Sequence, residues 1–181
     1  NACTYFPVIV DLSVEEVDIV RGIAHDLLHE PTQQRYLTQV ASSVFAIVIT
    51  APPCETHTRA VFSGRPGPQP IRDAFHPRGF PQLSPGWRAK AEAANKLHDF
   101  TVEVFRAAAT AHALALMEFP EDLGATLRGV PASIWQRSDV KALGNQGFIR
   151  GAFFQSDWSD VPYLKPTGLL SNVPEIQDEA G

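Results

Sequence analysis

Two residues stand where a sheet would deliver them to a substrate. Cys54 follows the apolar run Val44-Phe45-Ala46-Ile47-Val48-Ile49 and the stop Ala51-Pro52-Pro53. Two prolines remove two backbone donors and fix φ, so a strand must end there and the chain must leave the sheet rigidly. The run is rich in β-branched residues and is predicted to be a strand buried on both faces, inside a parallel sheet. Ligands of open α/β sheets bind beyond the carboxyl ends of such strands. A thiol placed there, flanked by Arg59 and a helix N-terminus, could have its pKa lowered and act as a nucleophile. The alternative is a small apolar filler, since free cysteines are among the most buried residues. Glu118 ends a second apolar run, Leu114-Ala115-Leu116-Met117, just before Phe119-Pro120. It is predicted to emerge on the same sheet edge and to donate a proton to a substrate atom that gains charge. Its alternative is a strand-end glutamate facing water.

Charge supplies a third signal. Between His57 and Lys96 lie seven basic residues, Arg59, Arg65, Arg72, Arg78, Arg88, Lys90 and Lys96, against Asp73 and Glu92, in a chain of net charge −5. A basic loop of this kind could close on a phosphate backbone, or it could be a solvated loop with scattered arginines. Asp11 and Asp26 follow apolar residues, where acids of doubly wound folds hold ribose hydroxyls or adenine amines and where they equally cap turns. The sequence holds no GxGxxG, Walker loop or HExxH, and its six histidines show no metal-ligand spacing. An acyl nucleophile at Cys54 would need a nearby histidine, for which His57 and His76 are the candidates.

The elements that must position these residues alternate. Residues 5–11 read as a first strand, 32–41 as a helix opened by Pro31, and 44–49 as the strand before Cys54. Residues 62–86 are rich in proline and glycine without a usable period, so they form a long loop. A long helix follows from Trp87, with Ala91, Ala94, Leu97, Val102, Phe105 and Ala108 as its apolar face. Then come the strand 114–120, a shorter helix from Pro131 to near Gly144, and last strands at 148–155 and 167–170. Strands alternating with helices predict an α/β fold with a Rossmann-like, mostly parallel sheet. The 181 residues, 44% hydrophobic and 19% charged, suit one domain, here residues 1–174 with a polar tail, 175–181. The chain opens almost directly on a strand, which suggests a fragment cut from something longer. Its two cysteines, Cys3 and Cys54, favour a reducing, intracellular compartment, and no apolar stretch is long enough to span a membrane.

The ordered motifs resemble a family. Ala51-Pro52-Pro53-Cys54-Glu55-Thr56 resembles the Pro-Pro-Cys motif of cytosine-C5 DNA methyltransferases. The loop Gly67–Pro85, with Ile71-Arg72 and His76-Pro77-Arg78-Gly79, is similar to the loop that follows the cysteine in divergent, mobile-element-associated members. Met117-Glu118-Phe119-Pro120 resembles their Glu-Asn-Val or Glu-x-Pro motif, and Pro131-Ala132-Ser133-Ile134-Trp135 the segment after it. Phe154-Gln155-Ser156-Asp157-Trp158, then Lys165-Pro166-Thr167, resembles the late Gln-Cys-x-Phe-Gly…Lys-Pro-Thr signature. The resemblance spans about residues 26 to 172.

It implies a methyltransferase-like catalytic domain in which the Cys54 thiolate adds to C6 of cytosine while Glu118 holds N3. S-adenosylmethionine supplies the methyl group, and no metal takes part. Arg59 would steady the flipped nucleotide or its phosphate. Asp26 would approach the cofactor adenine and Asp11 the ribose, with Pro52 beside them. Arg65, Arg72, Arg78 and Lys165 would contact DNA, or RNA. A eukaryotic member would be nuclear. The family's glycine-rich first motif is absent, Glu55 replaces a glutamine, Phe119 an asparagine, and Ser156 stands where many relatives have cysteine. The alternative is a catalytically inactive, nucleic-acid-binding remnant of the same fold.

Overall fold

Helix α1, Glu30–Ala41, begins with Pro31 in its first turn, where a missing N–H is not needed. Thr32, Tyr36 and Val40 recur every fourth residue and are its buried stripe. Helix α2, Pro85–Ala111, repeats the proline start and stops at His112, whose left-handed backbone (φ 56°) closes the last turn. These elements belong to a computed structural model that describes residues 13–64, 66–157 and 164–173. The predicted first strand at 5–11, Asp11, Arg65, Trp158 and the 175–181 tail lie outside the described residues.

Four strands form one open sheet: β1 Ile47–Thr50, β2 Leu114–Pro120, β3 Ile149–Phe154 and β4 Pro166–Ser171, in the order β1-β2-β4-β3. β1 and β2 pair in parallel, joined by the α2 crossover, with Thr50 opposite Met117. β4 is antiparallel to both β2 and β3. The fold is therefore α/β, but the sheet is mixed. Three strands point one way, yet inserting β4 between β2 and β3 leaves a single parallel pairing. The reason is the connection, since only eleven residues separate β3 from β4, and a parallel return needs a dozen or more.

β1 corrects a second expectation. It is short, it lies at the sheet edge among the described residues, and it alternates in exposure instead of being buried on both faces. Val48 packs on the core, whereas Ile47 and Ile49 are 51% and 72% exposed. Alternation follows from one-sided cover: the core gathers Val102, Phe105 and Ala108 of α2, Met117 and Phe119 of β2, Ile134, Trp135 and Leu170 on a single face. A short helix, α3 Ser138–Ala142, adds Val140 to it.

Trp135 shows how tightly that face is closed. Its indole N–H donates to the Pro120 carbonyl at 2.8 Å, and the Arg150 guanidinium sits 4.9 Å over the ring. The ring lies on Gly168 of β4, where an added Cβ would come within 2.7 Å of the indole. Gly168→Ala must push the ring or the strand aside and is expected to lose about 1–3 kcal/mol by overpacking. A urea titration checks this, and an unchanged midpoint would show that the indole yields freely.

Candidate active site

β1 ends at Thr50, and the chain turns through Pro52 and Pro53 to Cys54, a half-buried free thiol. Prolines carry no N–H, so the turn can be anchored only through its carbonyl oxygens. The carbonyl of Pro53 meets Nε2 of His98, on α2, at 2.8 Å, and the Cys54 carbonyl accepts from the His57 amide at 2.8 Å. Glu118 lies one residue beyond Met117, the partner of Thr50, on the neighbouring parallel strand. Its carboxylate is close enough to be the largest charge acting on the thiol. Lys165, just before β4, sits 3.6 Å from Glu118 Oε1. That oxygen is buried and finds no hydrogen-bond donor among the described residues, and the same holds for Thr50 Oγ1. Cys54, Glu118 and Lys165 thus converge at the carboxyl ends of the two parallel strands.

The thiol's electrostatics reverse the expectation of a lowered pKa. Burial pushes Cys54 up, Glu118 pushes it further, and Lys165 opposes them. Arg59 does not activate it. The Arg59 guanidinium donates to the carbonyls of Leu123, Gly124 and Ala125 at 2.7, 3.2 and 3.0 Å, tying down the loop after β2.

The predicted basic surface also divides. Arg72 is 1% exposed and is interior: it donates to the carbonyls of Pro77 and Ala91, to Asn95 Oδ1 and, at 3.3 Å, to Nε2 of His57. A side chain so enclosed cannot reach a phosphate, and among the described residues no carboxylate pairs with it; burial lowers its pKa to about 10. Arg78 is exposed but held by both oxygens of Asp99, at 3.1 and 2.8 Å. Lys165 faces Glu118. Asp26 accepts from the Leu28 amide at 2.8 Å, a turn cap. Pro52 is half-buried in the turn itself.

Sequence reasoning missed the interior layer beneath the turn. Because Arg72 can only donate, Nε2 of His57 accepts, and the His57 proton sits on Nδ1, which reaches Thr56 Oγ1 at 3.2 Å. Because a carbonyl only accepts, His98 carries its proton on Nε2, leaving a buried Nδ1 without a hydrogen-bond partner among the described residues. Both rings are neutral: burial and then Arg72 drive His57 down to about 2, and burial takes His98 down to about 4. The two rings meet edge to face at 4.7 Å, and both rest on Phe119, at 5.5 and 5.6 Å. The signal was present in α2, where Asn95, His98 and Thr101 interrupt an otherwise apolar helical stripe. His57 is committed to Thr56 and Arg72; His76, whose Nδ1 meets Asp73 at 3.1 Å, keeps Nε2 for a base, but among the described residues no side-chain hydrogen bond joins either ring to the Cys54 thiol.

A separate cleft of about 550 Å³ opens between α1 and α2, lined by Arg78, Lys96, Glu92, Asp99 and their neighbours, away from Cys54, Glu118 and Lys165. Among the described residues no group of three metal-ligating side chains occurs, and no helix is long and apolar enough to cross a membrane.

The chain matches no family model, no curated protein and no solved structure.

Two outcomes follow from the electrostatics. In a Cys3→Ser background, alkylation of Cys54 by iodoacetamide should be slow at neutral pH and rise only above the ordinary thiol range. Glu118→Gln, by removing the neighbouring negative charge, should shift that profile to lower pH; no shift would separate the two groups. The histidines act on stability. Their folded pKa values lie below the unfolded value of about 6.5, so the unfolded chain binds more protons. Their contribution is intact above about pH 6.5 and falls as pH drops toward 4, by up to about 1.4 kcal/mol per pH unit for each group. Urea midpoints between pH 7.5 and 4.5 measure the slope, which His98→Gln should reduce.

Proposed function

We propose that this chain is a cytosine-C5 DNA methyltransferase-like catalytic region on a Rossmann-like scaffold, and that Cys54 is its nucleophile. The observation that carries the reading is the thiol of Cys54 beside the carboxylate of Glu118, at the carboxyl ends of two adjacent parallel strands. The resemblance of the Pro-Pro-Cys turn and of the Met117–Pro120 strand end supplies the substrate class.

The chemistry these two residues can perform is conjugate addition. In the resting site the thiol keeps its proton, because burial and then the neighbouring Glu118 raise its pKa. When a cytosine ring enters, the thiol proton passes to Glu118 and from there to N3 as the sulfur bonds to C6. The C5=C6 electrons shift toward C4, the C4=N3 electrons end in the new N3–H bond, and C5 becomes nucleophilic. Glu118 Oε1, which accepts no hydrogen bond among the described residues although Lys165 lies 3.6 Å away, offers the exocyclic amine an acceptor. Once C5 has taken an electrophile and lost its hydrogen, the carbon–sulfur bond breaks and the thiol recovers its proton. To reach a thiol half-buried at a sheet edge, the base must leave its stack. Lys165, exposed beside Glu118, is the cation best placed for the flipped nucleotide's phosphate.

The methyl donor that the resemblance implies is S-adenosylmethionine. The described residues do not form a cradle for it: Asp26 is spent on the Leu28 amide, and the sequence has no glycine-rich turn to receive the methionine end. No step here runs through the donor.

The addition step can be tested without it. An activated C5 takes a proton from water and loses its original hydrogen, so the chain should release tritium from DNA carrying [5-³H]cytosine. Cys54→Ala should abolish the release, and Glu118→Gln should slow it by about 10²- to 10⁴-fold, the usual size of a general acid–base contribution. Absence of Cys54-dependent release from single- and double-stranded DNA alike would falsify the reading.

A further inference from the structure

We propose that His98 is the positioning residue for the Cys54 thiol, acting through the carbonyl of Pro53. The inference rests on the nucleophilic role of Cys54 given above and extends it to a residue that touches neither substrate nor thiol.

The argument begins with what the turn lacks. Pro52 and Pro53 have no amide hydrogens, so no ladder or turn hydrogen bond donated from these positions can fix them. The Pro53 carbonyl belongs to the peptide plane that carries the Cys54 amide, and that plane sets the direction in which the Cys54 side chain leaves the backbone. His98 Nε2 holds this oxygen at 2.8 Å from a ring that is fully buried. On the other side of Cys54, its own carbonyl accepts from the His57 amide. One histidine side chain and one histidine backbone therefore bracket the nucleophile.

The same ring ties the turn to its partner strand. His98 and His57 pack edge to face, and both contact Phe119, the residue after Glu118. The spacing between thiol and carboxylate is thereby set by a block of three rings instead of by the loop. Burial of an imidazole whose Nδ1 has no partner among the described residues is unfavourable, a penalty that an apolar residue on the α2 stripe would avoid. Holding the Pro53–Cys54 peptide is the function that offsets it.

The test separates a hydrogen bond from mere volume. His98→Gln keeps an N–H that can reach Pro53, and His98→Leu fills the space without one. Two readouts are taken on each: kcat and KM for tritium release from [5-³H]cytosine DNA, and exchange of the His57 amide, with amides in the α2 core as reference. We expect His98→Leu to lose at least tenfold in kcat with KM within twofold, and to speed His57 exchange at least tenfold. His98→Gln should stay within threefold of the unmodified chain on both. A leucine variant that matches the unmodified chain, or a glutamine variant that falls as far as leucine, overturns the proposal. If His98→Leu does not fold, His98→Asn, whose shorter amide stops short of Pro53, takes its place with the same expected contrast. If the unmodified chain releases no tritium, the reaction at Cys54 is wrong, and the exchange comparison alone decides the positioning.

Discussion

Proline lacks the one group with which a backbone usually fastens itself, and the site depends on that deficiency. A Pro-Pro turn is stiff in φ yet has only oxygens to offer its surroundings. Something in the interior must supply the donor. Here the donor is an imidazole on α2, so the long helix does more than cover the sheet. Its apolar stripe builds the core, and its polar interruptions at Asn95 and His98 build the floor under the thiol. Helix, turn and strand are fixed by the same few contacts, which hold the thiol and the carboxylate in register.

That floor carries an unusual charge balance. Arg72 is enclosed by three acceptors and a neutral histidine, with no carboxylate paired to it among the described residues. Burying a guanidinium this way is unfavourable unless every proton finds an acceptor, and its Nε does not. Burial, with the cation adding to it, keeps both imidazoles neutral, so His57 can accept from Arg72. Replacing any one member leaves the others facing unsatisfied partners. The layer behaves as a unit, in the way buried polar networks do.

The parts of this molecule that were legible in its sequence are those that periodicity and strand ends encode. The apolar run before Cys54 and the run before Glu118 marked two strands, and their common α2 crossover made them parallel neighbours with their ends together. Sheet order was not legible: whether a late strand adds at the edge or inserts depends on pairing between residues far apart, which no local pattern records. Charge misled. Arg72 looked like surface because arginines usually are, and nothing in its immediate neighbours distinguishes it from Arg78, which is exposed. Arg59 likewise looked free, although carbonyls more than sixty residues away use all of its reach. His98 was legible and passed over, since a histidine on an apolar helical stripe is more often a satisfied core residue than a strut.

The insertion of β4 has a consequence in time as well as in space. β2 pairs with residues more than fifty positions later, Leu116 with Ser171 and Glu118 with Leu169. A ribosome making this chain finishes the Cys54 turn and the Glu118 strand long before it emits the strand that lies between β2 and β3. Until then β2 has a bare edge and Glu118 lacks Lys165. Contacts of such sequence separation form late and slowly, so Cys54, Glu118 and Lys165 come together only when nearly the whole described chain has left the tunnel. During synthesis it is merely a half-covered cysteine.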